Sequence, residues 1–237
     1  MQHRTMVNFG TPRALTRAYF STYHLWAAFN FAERSKAIEL SHHGAPTFNM
    51  EHRALVIASV IEAGAFLESM INEVFKDCAD GHLSYLAPLP PDVICLLQSQ
   101  WTSWHSSGRK TIPTLDKYDV ALQCCTRNRL PRAKVYTDAR DLLDLRNTLI
   151  HYTPESLSAD DQHKFQKLKR RFPENSLLEG AANAYFPDKC LGAGCAYWAA
   201  NSAKTLADYF SAQLHITPNY QHWHVEPYSY PRANEST

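Results

Sequence analysis

The clearest pattern in the chain is a helical one between about Met50 and Ala79. Ile57, Ile61, Gly64, Ile71 and Phe75 recur at three-, four- and seven-residue steps, which at about 100° per residue puts them on one face of an α-helix. Ahead of it, Pro12 to Ser35 predicts a first helix, with proline suited to the opening turn. His42, His43, Gly44 and Pro46 supply the loop between the two. Gly81 and the run Pro88, Pro90, Pro91 close the long helix. Residues 92–134 read as shorter helices and loops, broken by Gly108, Pro113 and Pro131. A strong amphipathic helix then covers about Lys134 to Tyr152 and must stop before Pro154. A short helix is expected near Ser158 to Arg171, and a last one near Leu191 to Leu214. The last aligns Leu191, Cys195, Trp198, Ser202, Leu206 and Tyr209 on one face. From Pro218 the chain reads as an extended tail.

The expectation is an all-α bundle of five to seven helices. Residues 1–48 form an N-terminal helical extension packed on the core, 49–216 the main helical domain, and 217–237 the tail. Composition agrees: the 237 residues include only 8 glycines, against about 17 at the usual frequency of roughly 7%. A β-sandwich or barrel needs more glycine turns than that.

Charge changes the functional picture. With 24 basic and 23 acidic side chains and 45% hydrophobic residues, the chain is neither disordered nor globally basic. A nucleic-acid partner must therefore be held by a local cluster. The apolar stretch from Ala54 to Phe75 is interrupted by Glu62, Glu68, Asn72 and Glu73, which argues against a membrane span. Residues 1–32 hold no acid and three arginines, a faint transit-peptide character. The aromatics Tyr19, Phe20, Tyr23, Trp26 and Phe29 point instead to a packed helix. Six cysteines without a C-x-x-C pair, two of them adjacent (Cys124, Cys125), suit reduced thiols in a cytoplasmic protein. Neither a metal nor a cofactor is expected: His42-His43 and His222-x-His224 lack further ligands at useful spacing. Gly192 and Gly194 lack the strand and Lys-Ser/Thr of a phosphate loop. Cys195 is better explained by packing than as a reactive thiol.

The candidate chemistry lies at the end of the 134–152 helix, in Asp144-Leu-Arg146-Asn147-Thr-Leu-Ile-His151-Tyr152. Ala139, Leu142, Leu149 and Ile150 define its apolar face, with Arg146 in the middle. Glu68 falls within the apolar stripe of the long helix. Two opposite charges on apolar stripes invite pairing, because an isolated buried charge costs several kcal/mol. Glu68 and Arg146 are therefore expected to meet, within one chain or across a dimer. Asn147 and His151 share another edge of the helix. An equivalent spacing from Arg17 to His24 lies outside this context and is assigned no role.

Arg-Asn followed by His at the end of an apolar helix resembles the HEPN superfamily, whose motif is R-x(4–6)-H. The upstream segment Phe66-Leu67-Glu68-Ser69-Met70-Ile71-Asn72-Glu73 is similar to the long early helix of many members. The likeness covers about Glu51 to Leu214. It implies a HEPN-like bundle, a homodimer whose paired motifs form one cleft, and metal-independent RNA cleavage. In that reading His151 is the acid or base, Arg146 holds the scissile phosphate, and Asn147 orients either one. Glu68 anchors Arg146, and Tyr152 is a supporting residue. Some HEPN toxins carry a tyrosine two places after the histidine; here Tyr152 follows directly, which puts nucleotidylation of that tyrosine in doubt. Arg140 on the edge of Asn147, and the run Arg127, Arg129, Arg132 and Lys134, are the candidate RNA contacts. A role as toxin or defence effector, with an antitoxin or regulatory protein as partner, comes from the resemblance alone. The alternatives are a catalytically silent HEPN-like scaffold for dimerisation or nucleic-acid or nucleotide binding, and an unrelated helical enzyme using another pocket.

Overall fold

The computed structural model describes residues 17–106, 112–156 and 163–222. They form six α-helices with short 3-10 and π turns, and no strand occurs among them. The helices are α1 (Phe20–Ser41), α2 (Met50–Asp80), α3 (Pro91–Ser106), α4 (Thr114–Thr126), α5 (Lys134–Ile150) and α6 (Ala193–Leu214). The fold is all-α, as the sequence pattern requires.

α2 is the axis of the bundle, and the other five helices pack on it. Its start is fixed by Asn49, whose side chain accepts the N–H of His52 at 2.9 Å, the N-capping geometry that satisfies an otherwise orphaned donor. Its buried apolar residues include Val56, Val60, Ala63, Phe66, Leu67, Met70, Ile71, Val74 and Phe75. They cover far more of the helix than the stripe read from the sequence, and Ile57 and Ile61 are only half-buried. The reason is that α1 and α6 pack on α2 from different directions, so no single face is the core face. α2 is long and apolar enough to cross a membrane, and 56% of its most apolar 18-residue window is buried inside the bundle.

A helix so enclosed must find a partner for every polar group it keeps. Ser59 Oγ donates to the Ala28 carbonyl of α1 at 2.7 Å. Glu62 meets His24 at 2.6 Å. Glu73 accepts both the backbone N–H and the hydroxyl of Ser21, at 2.9 and 2.6 Å, and so caps the start of α1. Asp77, fully buried, has the Arg17 guanidinium at 2.5 Å. Arg53 reaches Asp188 at 2.9 Å in the turn before α6.

At the other end, His52 and Glu39 form a buried pair at 2.8 Å. Glu39 also accepts the Ala193 N–H at 2.7 Å and the Ser176 hydroxyl at 3.0 Å. One carboxylate on α1 thus holds the start of α6, where the helix dipole favours negative charge. Residues 191–200 are buried without interruption, and their small side chains let neighbouring backbones approach. A β-carbon on Gly192 would stand 2.6 Å from Asn175 Cα, and one on Gly194 2.7 Å from the Pro173 carbonyl oxygen.

Several boundaries depart from the sequence reading. α1 runs past Ser35 to Ser41, because Lys36-Ala-Ile-Glu-Leu are tolerant or favourable in a helix and no breaker precedes Gly44. Arg17–Tyr19 precede α1, and residues 12–16 of the expected helix lie outside the described residues. Of its aromatics only Phe29 packs fully; Phe20, Tyr23 and Trp26 face outward. The segment expected as a helix from Ser158 is a 3-10 helix over Lys164–Arg170, residues 158–162 lying outside the described set. Phe165 and Leu168 are its buried pair, a three-residue spacing that suits a 3-10 turn. The tail begins with a turn, Asn219–His222, whose Tyr220 ring packs edge-on against Phe66 with centroids 5.2 Å apart. Residues 223–237 lie outside the described residues.

Two outcomes follow from these contacts. Glu39→Ala leaves His52 and the first N–H of α6 unpartnered and is expected to cost about 3 kcal/mol in urea unfolding; a loss below about 1 kcal/mol would mean the junction is not held this way. Burial, opposed by the Ser21 hydrogen bonds, raises the Glu73 carboxyl above its ordinary value. The folded chain therefore binds the Glu73 proton more tightly than the unfolded chain does. Its contribution is fully present below the unfolded value of about 4.3 and declines as pH rises through the folded one. Glu73→Gln should gain stability relative to wild type as unfolding is measured at increasing pH across that window, and a constant difference would contradict it.

Candidate functional site

The inner face of α5 is set by Ala139, Leu142 and Leu145, which are fully buried. Leu149 is half-buried and Ile150 is 45% exposed, so the last turn leaves the core and Ile150 does not belong to the apolar face expected of it. Two carboxylates share that inner face. Asp138 pairs with Arg171 at 2.6 Å and with Lys134, and Asp141 pairs with Lys167 at 2.7 Å. These pairs dock the 164–171 segment onto α5.

One turn further, Arg146 crosses α2 at Gly64. A β-carbon at 64 would stand 3.0 Å from Arg146 Cγ, so the aliphatic stem lies directly on the glycine backbone. The guanidinium Nη2 then donates to Glu68 Oε2 at 3.1 Å, and Nη1 donates to Asn147 Oδ1 at 2.9 Å. The pairing of Glu68 with Arg146 is thus made within one chain. Arg146 Nε is buried with no hydrogen-bond partner among the described residues. The Arg146 and Glu68 side chains are 24% and 34% exposed, so the pair sits at the surface end of the α2–α5 contact.

A second cation adjoins this pair. Lys117 of α4 is 7% exposed, and its ammonium donates to Asn72 Oδ1 at 2.8 Å, one turn along α2 from Glu68. Burial lowers the Lys117 pKa and the Glu68 charge opposes that shift. Neither Lys117 nor the seat at Gly64 was singled out in the sequence. The available signal was the glycine itself, since glycine inside a helix costs about 1 kcal/mol relative to alanine and is kept where another chain element comes close.

α5 ends at Ile150, and His151 is the residue that closes it, its N–H donating to the Asn147 carbonyl at 3.0 Å. The helix is therefore shorter than expected, because residues from Thr153 onward turn away ahead of Pro154. His151 is exposed, and no hydrogen bond to its imidazole is found among the described residues. It is flanked by Ile150 and by Tyr152, which is 41% exposed and lies 6.5 Å from the Phe186 ring. Lys164 reaches the same end of α5, donating to Thr148 Oγ1 at 2.9 Å.

Arg146, Asn147, Glu68, His151 and Tyr152 are brought to one end of α5; the basic run is not. Arg127 closes α4 in a left-handed conformation (φ 60°), and Arg129 is exposed. Arg132 lies 3.8 Å from Asp119 and stacks on Tyr136, and Lys134 pairs with Asp138. At 1.5 Å per residue this run is about 25 Å along α5 from His151. Arg140, with its guanidinium 3.6 Å from Asp141, lies about 16 Å away by the same measure. Arg17 and His24 go to separate partners, Asp77 and Glu62. Cys190 and Cys195 are fully buried, and burial pushes the Cys78 and Cys125 thiols up to about 12, which leaves them protonated at neutral pH. Among the described residues no group of three or more His, Cys, Asp or Glu has the arrangement of a metal site.

In comparison with known proteins, the chain matches no family model, no curated protein and no solved structure.

Gly64→Val should displace the Arg146 stem and destabilise the fold by about 1–3 kcal/mol. Urea unfolding measures the cost, and a Glu68→Gln change made on top of it should then cost less than it does in wild type. Additive effects would show that Gly64 is not the seat of the Arg146–Glu68 pair.

Proposed function

We propose that this chain is a HEPN-type endoribonuclease that cleaves RNA without a metal, acting as a homodimer. The observation that carries the reading is the arrangement at the end of α5. Arg146 is fixed by Glu68 and by its seat on Gly64, and is tied to Asn147, while His151 stands exposed just beyond. A held cation beside an exposed imidazole suits phosphodiester chemistry. The imidazole removes a proton from the ribose 2′-hydroxyl or delivers one to the leaving 5′-oxygen. The guanidinium binds the phosphate whose charge grows in the transition state. Asn147, within reach of both, orients one or the other.

The dimer enters because Arg146 and His151 lie on different sides of one helix end. A two-fold axis there would gather two copies of each into one cleft, and would bury the apolar flanks Ile150 and Tyr152. Lys164 would stand beside that cleft and Arg140 farther along α5. Arg127, Arg129, Arg132 and Lys134 would touch only an RNA long enough to follow the helix. A cytoplasmic role as toxin or defence effector rests on the HEPN resemblance alone.

One observation favours a second reading, a catalytically silent scaffold. Each terminal nitrogen of Arg146 already gives one N–H to a protein partner, Asn147 or Glu68, and the Glu68 carboxylate offsets the charge a phosphate would meet, so a phosphate has only the second N–H of each nitrogen to bind.

Purified protein incubated with labelled tRNA and mRNA in excess EDTA should cleave RNA. His151→Ala and Arg146→Ala should each lower the rate by about 100-fold or more while remaining folded. Cleavage retained by His151→Ala would remove the proposed site, and RNA binding without cleavage would favour the scaffold.

A further inference from the structure

The outer face of α1 is unlike that of any other helix in the bundle. Phe20, Tyr23 and Trp26 follow at three-residue spacing and are 60%, 61% and 52% exposed. The Phe20 ring lies 6.0 Å from that of Tyr23 and 6.4 Å from that of His24, and Trp26 stands one turn further along the same face. Taking about 200 Å² for each aromatic side chain, they leave roughly 350 Å² of ring surface in water. Leu40, at the far end of the same helix, is 67% exposed. An apolar surface of about that size is typical of the largest patch on a folded monomer, and such a patch is often functional.

The pattern along α1 specifies what can cover it. Asn30 lies at the middle of this 22-residue helix and, at about 100° per residue, at the centre of its outer face. The large aromatics are confined to one side of Asn30. On the other side the same face carries Glu33, Arg34, Ala37 and Leu40. Reversed about Asn30, the helix sets Tyr23 against Ala37 and Trp26 against Arg34, a large ring beside a small side chain and an indole beside a cation.

We propose that α1 pairs antiparallel with α1 of a second copy of this chain about a two-fold axis at Asn30. In that register Tyr23 shares a layer with the partner's Ala37, a large residue beside a small one. Trp26 shares a layer with the partner's Arg34, whose guanidinium among the described residues has one ion pair, an exposed contact to Glu51 at 3.3 Å. It is therefore available to stack on the indole. The two Asn30 amides meet at the axis and fix the register, as a lone polar residue does in a helical seam. Phe20 and the partner's Leu40 stand at the same height at each end. The two stripes bury less than the roughly 800 Å² per partner of a standard interface, so the association is weak and concentration-dependent. It goes beyond the ribonuclease reading and does not rest on it.

Sedimentation of the full-length chain over a range of concentrations tests the pairing. Wild type should show an association step that is lost in Tyr23→Glu/Trp26→Glu, with helical circular dichroism unchanged and any association through the end of α5 retained. The register is read by oxidative cross-linking in a Cys95→Ser background, which removes the exposed native thiol. Asn30→Cys should give a covalent dimer. A mixture of Tyr23→Cys and Ala37→Cys chains should cross-link more than either chain alone. An association state that is the same in wild type and the double glutamate variant overturns the pairing. So does an Asn30→Cys chain that fails to cross-link. A chain that stays monomeric while its wild-type stripe, but not the glutamate variant, adsorbs to phosphatidylcholine vesicles overturns it in favour of a lipid surface. RNA cleavage by the double glutamate variant at the wild-type rate separates loss of this interface from failure of the ribonuclease reading.

Discussion

A helix packed by five others has little water in which to leave its polar side chains. α2 keeps His52, Arg53, Ser59, Glu62, Glu68, Asn72, Glu73 and Asp77, and each meets a hydrogen-bond or ion-pair partner outside α2. Taking such groups out of water costs several kcal/mol for a charge left unpaired, so each contact is a requirement on where its partner sits. Apolar burial makes the bundle compact and tolerates sliding of one helix on another. The polar contacts do not tolerate it, and they fix α1 through Ser21 and His24, α4 through Lys117, and α5 through Arg146.

The Arg146 contact shows how such a constraint becomes a site. A salt bridge that only docked α5 could lie anywhere along the seam. This one falls at the last turn, where Gly64 gives the arginine stem a place on the α2 backbone and the helix is already leaving the core. One to two turns earlier, Asp138 and Asp141 do the purely structural work with Lys167 and Arg171. The inner half of α5 is thus committed to packing, and its end carries a fixed cation and an exposed imidazole.

Among the described residues, large apolar side chains are exposed at the end of α5 (Ile150, Tyr152) and along the outer stripe of α1, besides Phe48, Met50 and Leu96. The first two are the surfaces for which a two-fold contact is proposed. One such contact makes a dimer. Two on the same chain close as a D2 tetramer where their axes meet at right angles, and otherwise build an extended assembly.

Helix type and rough extent were determined by the sequence alone, because they rest on local rules. Asn49 and Gly81 bracket α2, Pro154 limits α5, and scarce glycine excludes a turn-rich β fold. The meeting of Glu68 with Arg146 was legible too, since two opposite charges on apolar stripes leave few alternatives. Other features were not, and they share a cause: they depend on which helix lies beside which. Periodicity gives one face per helix, so it misread α2, which has several, and put Ile150 inside and the α1 aromatics against the core. The seat at Gly64, the burial of Lys117 and the pairs of Asp138 and Asp141 exist only once the helices are assembled. A sequence records what each side chain can tolerate; the tertiary structure decides which of them lose their water, and in whose company.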